Sequence, residues 1–206
     1  MRTLLSTRLL AGATLMACAA AGAVAVAQAP VAVASGRVTL AGSSNVHNYT
    51  ASTTTVRVTR SRISAVSAGQ DFWDNALKPG AVEAFEITIP AATLASPKGD
   101  LDKNMHKALK VEAFPDITFR LVRFDTVPDG GGASRAIGML KIAGVEREVA
   151  LTIATRRAGA GLTVQGSVDL LMTDYGIVPP KAMLGMLKTD PKVTITFETA
   201  LAIPTT

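Results

Sequence analysis

The feature that most constrains the fold of this chain is an alternation of apolar and polar residues with a period of two. Phe85, Ile87 and Ile89 alternate with Glu86 and Thr88. The same pattern recurs over Val149–Ile153, Val164–Met172 and Val193–Phe197. Because successive side chains of a β-strand point to opposite faces, this alternation is typical of strands with one buried face and one face toward solvent.

Four more segments have the composition of strands, and turn-forming sequences separate them. These segments are Gly36–Gly42, Thr54–Ala68, Ile117–Val127 and Arg135–Ile142. About eight long strands with short connections indicate an antiparallel sheet that has to hide its edges, and closure into a barrel hides them completely. The predicted fold class is therefore all-β, an antiparallel eight-stranded barrel. A β-sandwich is the alternative, although its strands are usually shorter.

Two segments have helical rather than strand spacing. Within Asp100–Lys110, the apolar residues Leu101, Met105 and Leu109 recur every four residues, and Asp100 is a candidate N-cap. Pro179–Leu187 is a weaker candidate, since proline is acceptable in a first helical turn. We therefore expect one or two short helices beside the barrel.

The N-terminus has the pattern of a secretory signal peptide. Two arginines are followed by an apolar, alanine-rich stretch and then by the small residues Ala25-Val26-Ala27. We expect cleavage after Ala27, which leaves residues 28–206 as one barrel domain in the periplasm or outside the cell. An uncleaved anchor and a lipoprotein processed at Cys18 are the alternatives, the second because Leu15-Met16-Ala17-Cys18 resembles a lipoprotein box imperfectly.

Charge and hydropathy indicate that the mature chain neither binds nucleic acid nor contains a membrane-spanning helix. The formal net charge is +5, but two of the 21 basic residues lie within residues 1–27, which leaves 19 against 16 acidic residues, or +3. No cluster of lysine and arginine with interleaved aromatic residues follows, so we expect no nucleic-acid binding. No later stretch approaches the roughly 18 apolar residues of a membrane-spanning helix.

The residues that usually carry chemistry are sparse. Cys18, the single cysteine, lies in the leader, and His47 and His106 are the only histidines. Two histidines without a third clustered ligand make a poor metal site, so we expect no metal, and we expect His106 to be solvated. The glycine clusters lack the fingerprints of nucleotide binding, and no nucleophile elbow occurs, so we expect no cofactor and no catalytic residue.

An ordered set of short motifs resembles the YceI-like family. They are Gly42-Ser43-Ser44-Asn45-Val46-His47-Asn48-Tyr49, the helical Gly99–Lys110, Phe114-Pro115-Asp116-Ile117-Thr118-Phe119, Gly138–Val145 and Asp174-Tyr175-Gly176-Ile177-Val178-Pro179-Pro180. The similarity extends from about Val33 to Ile203. One departure is His47-Asn48-Tyr49, where many members have a glycine or Asp-Trp after the histidine.

This resemblance implies a lipocalin-like, extended antiparallel barrel whose long interior tunnel holds an isoprenoid chain, such as a polyprenyl phosphate or a quinone tail. It implies binding, not catalysis. Each buried methylene contributes about 0.8 kcal/mol, so apolar walls are sufficient to hold several isoprene units.

The alternation predicts which side chains face the interior, and Met105 adds a flexible apolar group from the helix. The candidate ligand-binding residues are Phe85, Ile87, Ile89, Met105, Phe119, Leu121, Leu140, Ile142, Leu151, Ile153, Val168, Leu170, Ile195 and Phe197. The same alternation also turns Val149 and Val193 inward.

Two other functions remain open at this stage, as does a homodimer. One is a structural or partner-binding module of the cell envelope, with a filled barrel and an exposed Phe72–Trp73 contact patch. The other is an enzyme for a small apolar substrate, with His47 and Tyr49 as proton-transfer groups.

Overall fold

The computed structural model describes residues 31–64, 71–126, 133–182 and 187–203. The expected signal peptide, Cys18, residues 65–68 of a predicted strand and Val127 lie outside these ranges. The strands are β1 (Ala32–Ser44), β2 (Asn48–Thr53), β3 (Arg57–Ile63), β4 (Val82–Pro90), β5 (Asp116–Thr126), β6 (Ala133–Ile142), β7 (Val145–Ala158), β8 (Gly161–Leu171), β9 (Lys181–Ala182) and β10 (Leu187–Ala202). The helices are α1 (Phe72–Ala76) and α2 (Gly99–Ala108).

Nine of these strands form one antiparallel sheet, in the order β2-β1-β10-β8-β7-β6-β5-β4-β3. The end strands β2 and β3 are consecutive in the chain, and Thr53 and Arg57 are only four residues apart, hence within about 14 Å of each other. In a flat sheet, eight spacings of about 4.8 Å would separate the ends by about 38 Å. The sheet therefore has to curl round until its ends meet, which confirms the predicted all-β, lipocalin-like architecture.

Together β2 and β3 occupy the position of one barrel strand. β2 pairs with the second half of β1, from Val38↔Thr53 to Ser43↔Asn48. β3 runs in the same direction but pairs with β4, from Arg57↔Thr88 to Ile63↔Val82. The chain changes partner between them, at Thr54–Val56, and this change joins the two ends of the sheet.

The observed strand count thus differs slightly from the predicted eight. The prediction merged residues 54–68 into one strand and left 48–53 in a loop. β2 shows no apolar alternation, because its buried residues are small or polar: Ala51 is 2% exposed and Thr53 is 4% exposed. The Thr53 hydroxyl shares a 2.7 Å hydrogen bond with that of Thr93, and Ser52 bridges to Ala95.

The helix predicted over Asp100–Lys110 is confirmed with both bounds shifted, to Gly99–Ala108, and the other predicted helix is wrong. α2 begins at Gly99, after Lys98, and no side chain caps it. Within Pro179–Leu187, Lys181 and Ala182 form β9 instead, which pairs with the start of β10, while 183–186 lie outside the described residues. The ladder hydrogen bonds offered by β10 outweigh a weak helical pattern.

A helix that was not predicted covers one end of the barrel, which we call the α1 end. Phe72 and Trp73 are buried and pack edge to face, with ring centroids 5.0 Å apart at 88°. The indole Nε1 of Trp73 donates a 2.8 Å hydrogen bond to the carbonyl of Ala160, in the β7–β8 turn. The exposed contact patch at Phe72–Trp73, which belonged to the alternative of a partner-binding module, is therefore wrong, because both rings are buried in one cluster with Val31 and Leu201.

The opposite end, which we call the α2 end, is covered in part by α2. Met105 and Ala108 pack against a buried cluster that includes Leu94 and Tyr175. His106 is half-buried rather than solvated as expected. Its Nε2 lies 2.8 Å from the carbonyl of Leu94, so the ring nitrogen donates that bond and fixes the helix to the connection after β4.

We expect Tyr175, which lies at the α2 end, to make the stability of the fold sensitive to alkaline pH. Burial, followed by the nearby Asp174, raises the pKa of Tyr175 to about 12, against a smaller opposing effect of Arg147. A raised pKa means that the folded state holds the phenolic proton more tightly than the unfolded state does. We therefore expect the unfolding free energy to fall by about 1.4 kcal/mol per pH unit between pH about 10 and about 12.

Urea unfolding across this range, compared with the Tyr175→Phe variant, measures the effect. The variant keeps the ring and lacks the titrating proton, so its stability should fall less steeply. Equal slopes in the two proteins would contradict the assignment.

Candidate ligand cavity

A cavity of about 760 Å³ lies inside the barrel. Every strand position around the barrel contributes wall residues, and nearly all of them are aliphatic or aromatic. The volume falls within the roughly 300–1,000 Å³ of typical small-molecule sites. The barrel therefore encloses an apolar space, not the filled core that one alternative required.

The structure brings together on this wall all fourteen side chains that the alternation and the helix spacing selected. They are Phe85, Ile87, Ile89, Met105, Phe119, Leu121, Leu140, Ile142, Leu151, Ile153, Val168, Leu170, Ile195 and Phe197. Val193 also lines the cavity, whereas Val149 packs against the buried cluster at the α2 end. That the fourteen contact a ligand remains a prediction.

The sequence reasoning missed other parts of the wall. Val38 and Leu40 line it from β1, and their alternation within the predicted strand Gly36–Gly42 was a usable signal. Trp73, Leu94 and Leu162 also line it. Trp73 lies in the five-residue α1 and Leu94 in a connection, and neither segment has a periodicity that reveals which way a side chain faces.

The polar lining is concentrated at the α2 end, where it forms the mouth of the cavity. The end of β1, the turn after it and the start of β2 contribute Ser44, His47 and Tyr49. The other polar residues there are Lys98, Asp100, Asn104 and Thr189. Deeper in the wall, the polar side chains are mainly the hydroxyls of Thr155 and Thr199. Among the described residues, a ligand with one polar end would thus meet most of its complementary groups at the mouth.

The turn at the mouth is held by its own hydrogen bonds. The Ser44 hydroxyl donates to the carbonyl of His47 at 2.9 Å and accepts from the backbone N–H of His47 at 3.1 Å. Lys188 N–H donates to the side-chain oxygen of Asn45 at 2.9 Å, which ties the turn to β10. Burial, and then Asp190, raises the pKa of Tyr49, so its phenol stays protonated at neutral pH.

The two candidate proton-transfer groups both lie at this mouth, but His47 is exposed. Among residues 31–64, 71–126, 133–182 and 187–203, no three histidine, cysteine or acidic side chains come together as a metal-binding group.

Comparison with known proteins places the chain in a family. The family model described as the YceI-like domain matches residues 31–201. The chain belongs to the YceI-like family. A sequence comparison with curated proteins found no match. In the described part of this YceI-like protein, no helix has the length and hydropathy needed to cross a membrane.

Solved structures share the YceI-like fold at low sequence identity. BcnA from Burkholderia cenocepacia superposes with a TM-score of 0.62 at 14% identity, over 81% of this chain and 96% of BcnA. A polyisoprenoid binding domain from Saccharophagus degradans, implicated in plant cell wall breakdown, gives 0.61 at 14% identity, over 86% and 100%. The Campylobacter jejuni YceI protein gives 0.52 at 13% identity, over 71% and 80%.

Proposed function

We propose that this protein is an exported carrier that holds an isoprenoid, such as a polyprenyl phosphate or the tail of a quinone, inside its barrel. The observation that carries the proposal is the apolar cavity of about 760 Å³. The Saccharophagus degradans neighbour, a polyisoprenoid binding domain, supports the ligand class. Burial of a long aliphatic chain supplies the affinity, at about 0.8 kcal/mol for each methylene removed from water.

The distribution of polar groups gives the bound chain a direction. Its apolar tail extends toward the α1 end, where Trp73 and Leu162 line the wall, and its polar head stays at the mouth near His47 and Lys98. The reverse orientation would place a polar head beside a mainly apolar wall, where, among the described residues, the hydroxyls of Thr155 and Thr199 are the main hydrogen-bonding groups. Burial of a polar head with so few partners costs free energy.

Binding without catalysis is the function that this distribution supports best. His47 and Tyr49 lie at the mouth, while the reactive double bonds of an isoprenoid would lie along the aliphatic wall. The remaining wall side chains offer packing surface and few groups that move protons.

Native mass spectrometry of the full chain, expressed with its N-terminal segment and purified from the envelope fraction, tests the proposal. We expect a population of protein whose added mass matches a prenyl lipid or a quinone that organic extraction releases. The proposal fails if no such mass is found and the protein, mixed with geranylgeraniol or solanesol, takes up neither.

A further inference from the structure

Two phenylalanines of the cavity wall lie against glycines of neighbouring strands. Phe197 on β10 is the register partner of Gly166 on β8. Phe119 on β5 lies diagonally across from Gly138 on β6, whose direct partner is Leu121. Both rings line the cavity, whereas neither glycine belongs to its wall.

The fit of each ring depends on the missing side chain of its glycine. A Cβ at Gly138 would lie 2.5 Å from Cε2 and Cζ of Phe119. A Cβ at Gly166 would lie 2.8 Å from Cζ of Phe197. Carbon atoms make favourable contact at about 3.5–4.0 Å, so with any other residue at these positions the rings could not stay where they are.

The two rings lie on opposite sides of the barrel. Along the sheet, β10 and β5 are separated by β8, β7 and β6. In the other direction they are separated by β1, the combined β2–β3 position and β4, so each route takes four steps. Phe197 pairs with Val38 and Phe119 pairs with Ile87, and none of the four residues lies at the end of its strand. The rings therefore flank the cavity from two sides, away from its ends.

We propose that Gly138 and Gly166 set the width of the tunnel: by letting Phe119 and Phe197 lie back against the wall, they let a branched chain pass between the two rings. This inference rests on the proposed lipid-binding function and adds the residues that fix which chains fit. A side chain at either glycine turns a ring into the lumen, which shortens the usable tunnel. Long prenyl chains then lose affinity, while short chains that stop before the rings keep theirs.

The test compares the affinities of the full-chain protein for solanesol, a long prenol, and geranylgeraniol, a short one. In Gly166→Ala we expect solanesol to bind at least about tenfold more weakly, since excluding two methylenes already costs that much. Geranylgeraniol should bind within about twofold of wild type. Gly36→Ala is the matched control, because its Cβ would meet Val56 and Val33 at 3.2–3.4 Å and no aromatic ring.

A second variant separates ring displacement from backbone strain. The added Cβ of Gly166→Ala would also lie 2.6 Å from the carbonyl oxygen of Thr152. The double variant Gly166→Ala with Phe197→Ala keeps that strain and removes the ring, so we expect solanesol binding to return. A loss that persists in a folded double variant would overturn the inference.

The single Phe197→Ala variant covers the case in which Gly166→Ala does not fold. It widens the tunnel, so we expect it to bind the bulkier probe cholesterol at least about tenfold more tightly than wild type does. An unchanged affinity would overturn the inference. If the wild-type protein binds neither prenol, the proposed function itself fails. If the wild-type protein binds them and the variants show the same selectivity, only the present inference fails.

Discussion

Leu151→Glu should reduce solanesol binding by about a hundredfold or more. Leu151 lines the cavity from β7, where Ala136 on β6 is its register partner. A carboxylate there would be surrounded by aliphatic groups when a prenyl chain fills the lumen, and burial of an unpaired ion costs several kcal/mol. Isothermal titration with solanesol, together with native mass spectrometry of the variant, measures the loss.

Thr152→Glu is the matched control, since it places the same charge on the next residue of the same strand. Thr152 is exposed on the outer face and is the register partner of Arg135, so the added carboxylate stays hydrated beside a cation. We expect its prenol binding to match wild type. A folded Leu151→Glu protein that binds solanesol as tightly as Thr152→Glu does would place the ligand outside the barrel.

Trp73→Ala should destabilise the protein by about 3–5 kcal/mol, the usual cost of deleting a large buried aromatic side chain. The ring is 3% exposed, packs on Phe72 and donates to the carbonyl of Ala160. Its loss removes the packing that holds α1 over the end of the barrel. We also expect bound prenol to dissociate faster, because Trp73 lines the cavity at that end.

Two further variants distinguish the contribution of the Trp73 hydrogen bond from that of its packing and from that of charge on α1. Urea unfolding is the measurement. Trp73→Phe keeps an aromatic ring and loses the hydrogen bond, which should cost about 1–3 kcal/mol. Asp74→Ala, on the same helix, removes only an exposed 3.8 Å ion pair with Arg157, and such pairs contribute at most about 1 kcal/mol. If Asp74→Ala destabilised the protein as much as Trp73→Ala, charge rather than packing would fix α1.

The cavity wall could be predicted from the sequence because a strand has only two faces. Once Phe85, Ile87 and Ile89 are assigned to one face, sterics leave no third direction for them. The barrel closes on that face, and the same argument holds for every strand with large alternating residues. This reasoning could not distinguish a lumen from a filled core, because that depends on how far all the inward side chains extend, not on which face they occupy.

The segments that the sequence did not reveal owe their structure to distant partners. α1 has five residues, too few for a helical period, and its rings are fixed by Val31 and Leu201 from the two ends of the domain. β9 is a strand because β10 offers it hydrogen bonds. β2 carries small residues on its buried side because Thr93 and Ala95 approach it closely. Local composition contains none of this information.

The change of partner at Thr54–Val56 also affects how the molecule behaves among its own copies. A sheet with two full-length unpaired edge strands would offer rows of unpaired amides, to which a neighbouring molecule could add a strand. Here the two terminal strands have only six and seven residues. The segment that links them brings the two edges of the sheet side by side. We therefore expect the described part of the barrel to offer few unpaired backbone groups to which a neighbouring molecule could add a strand.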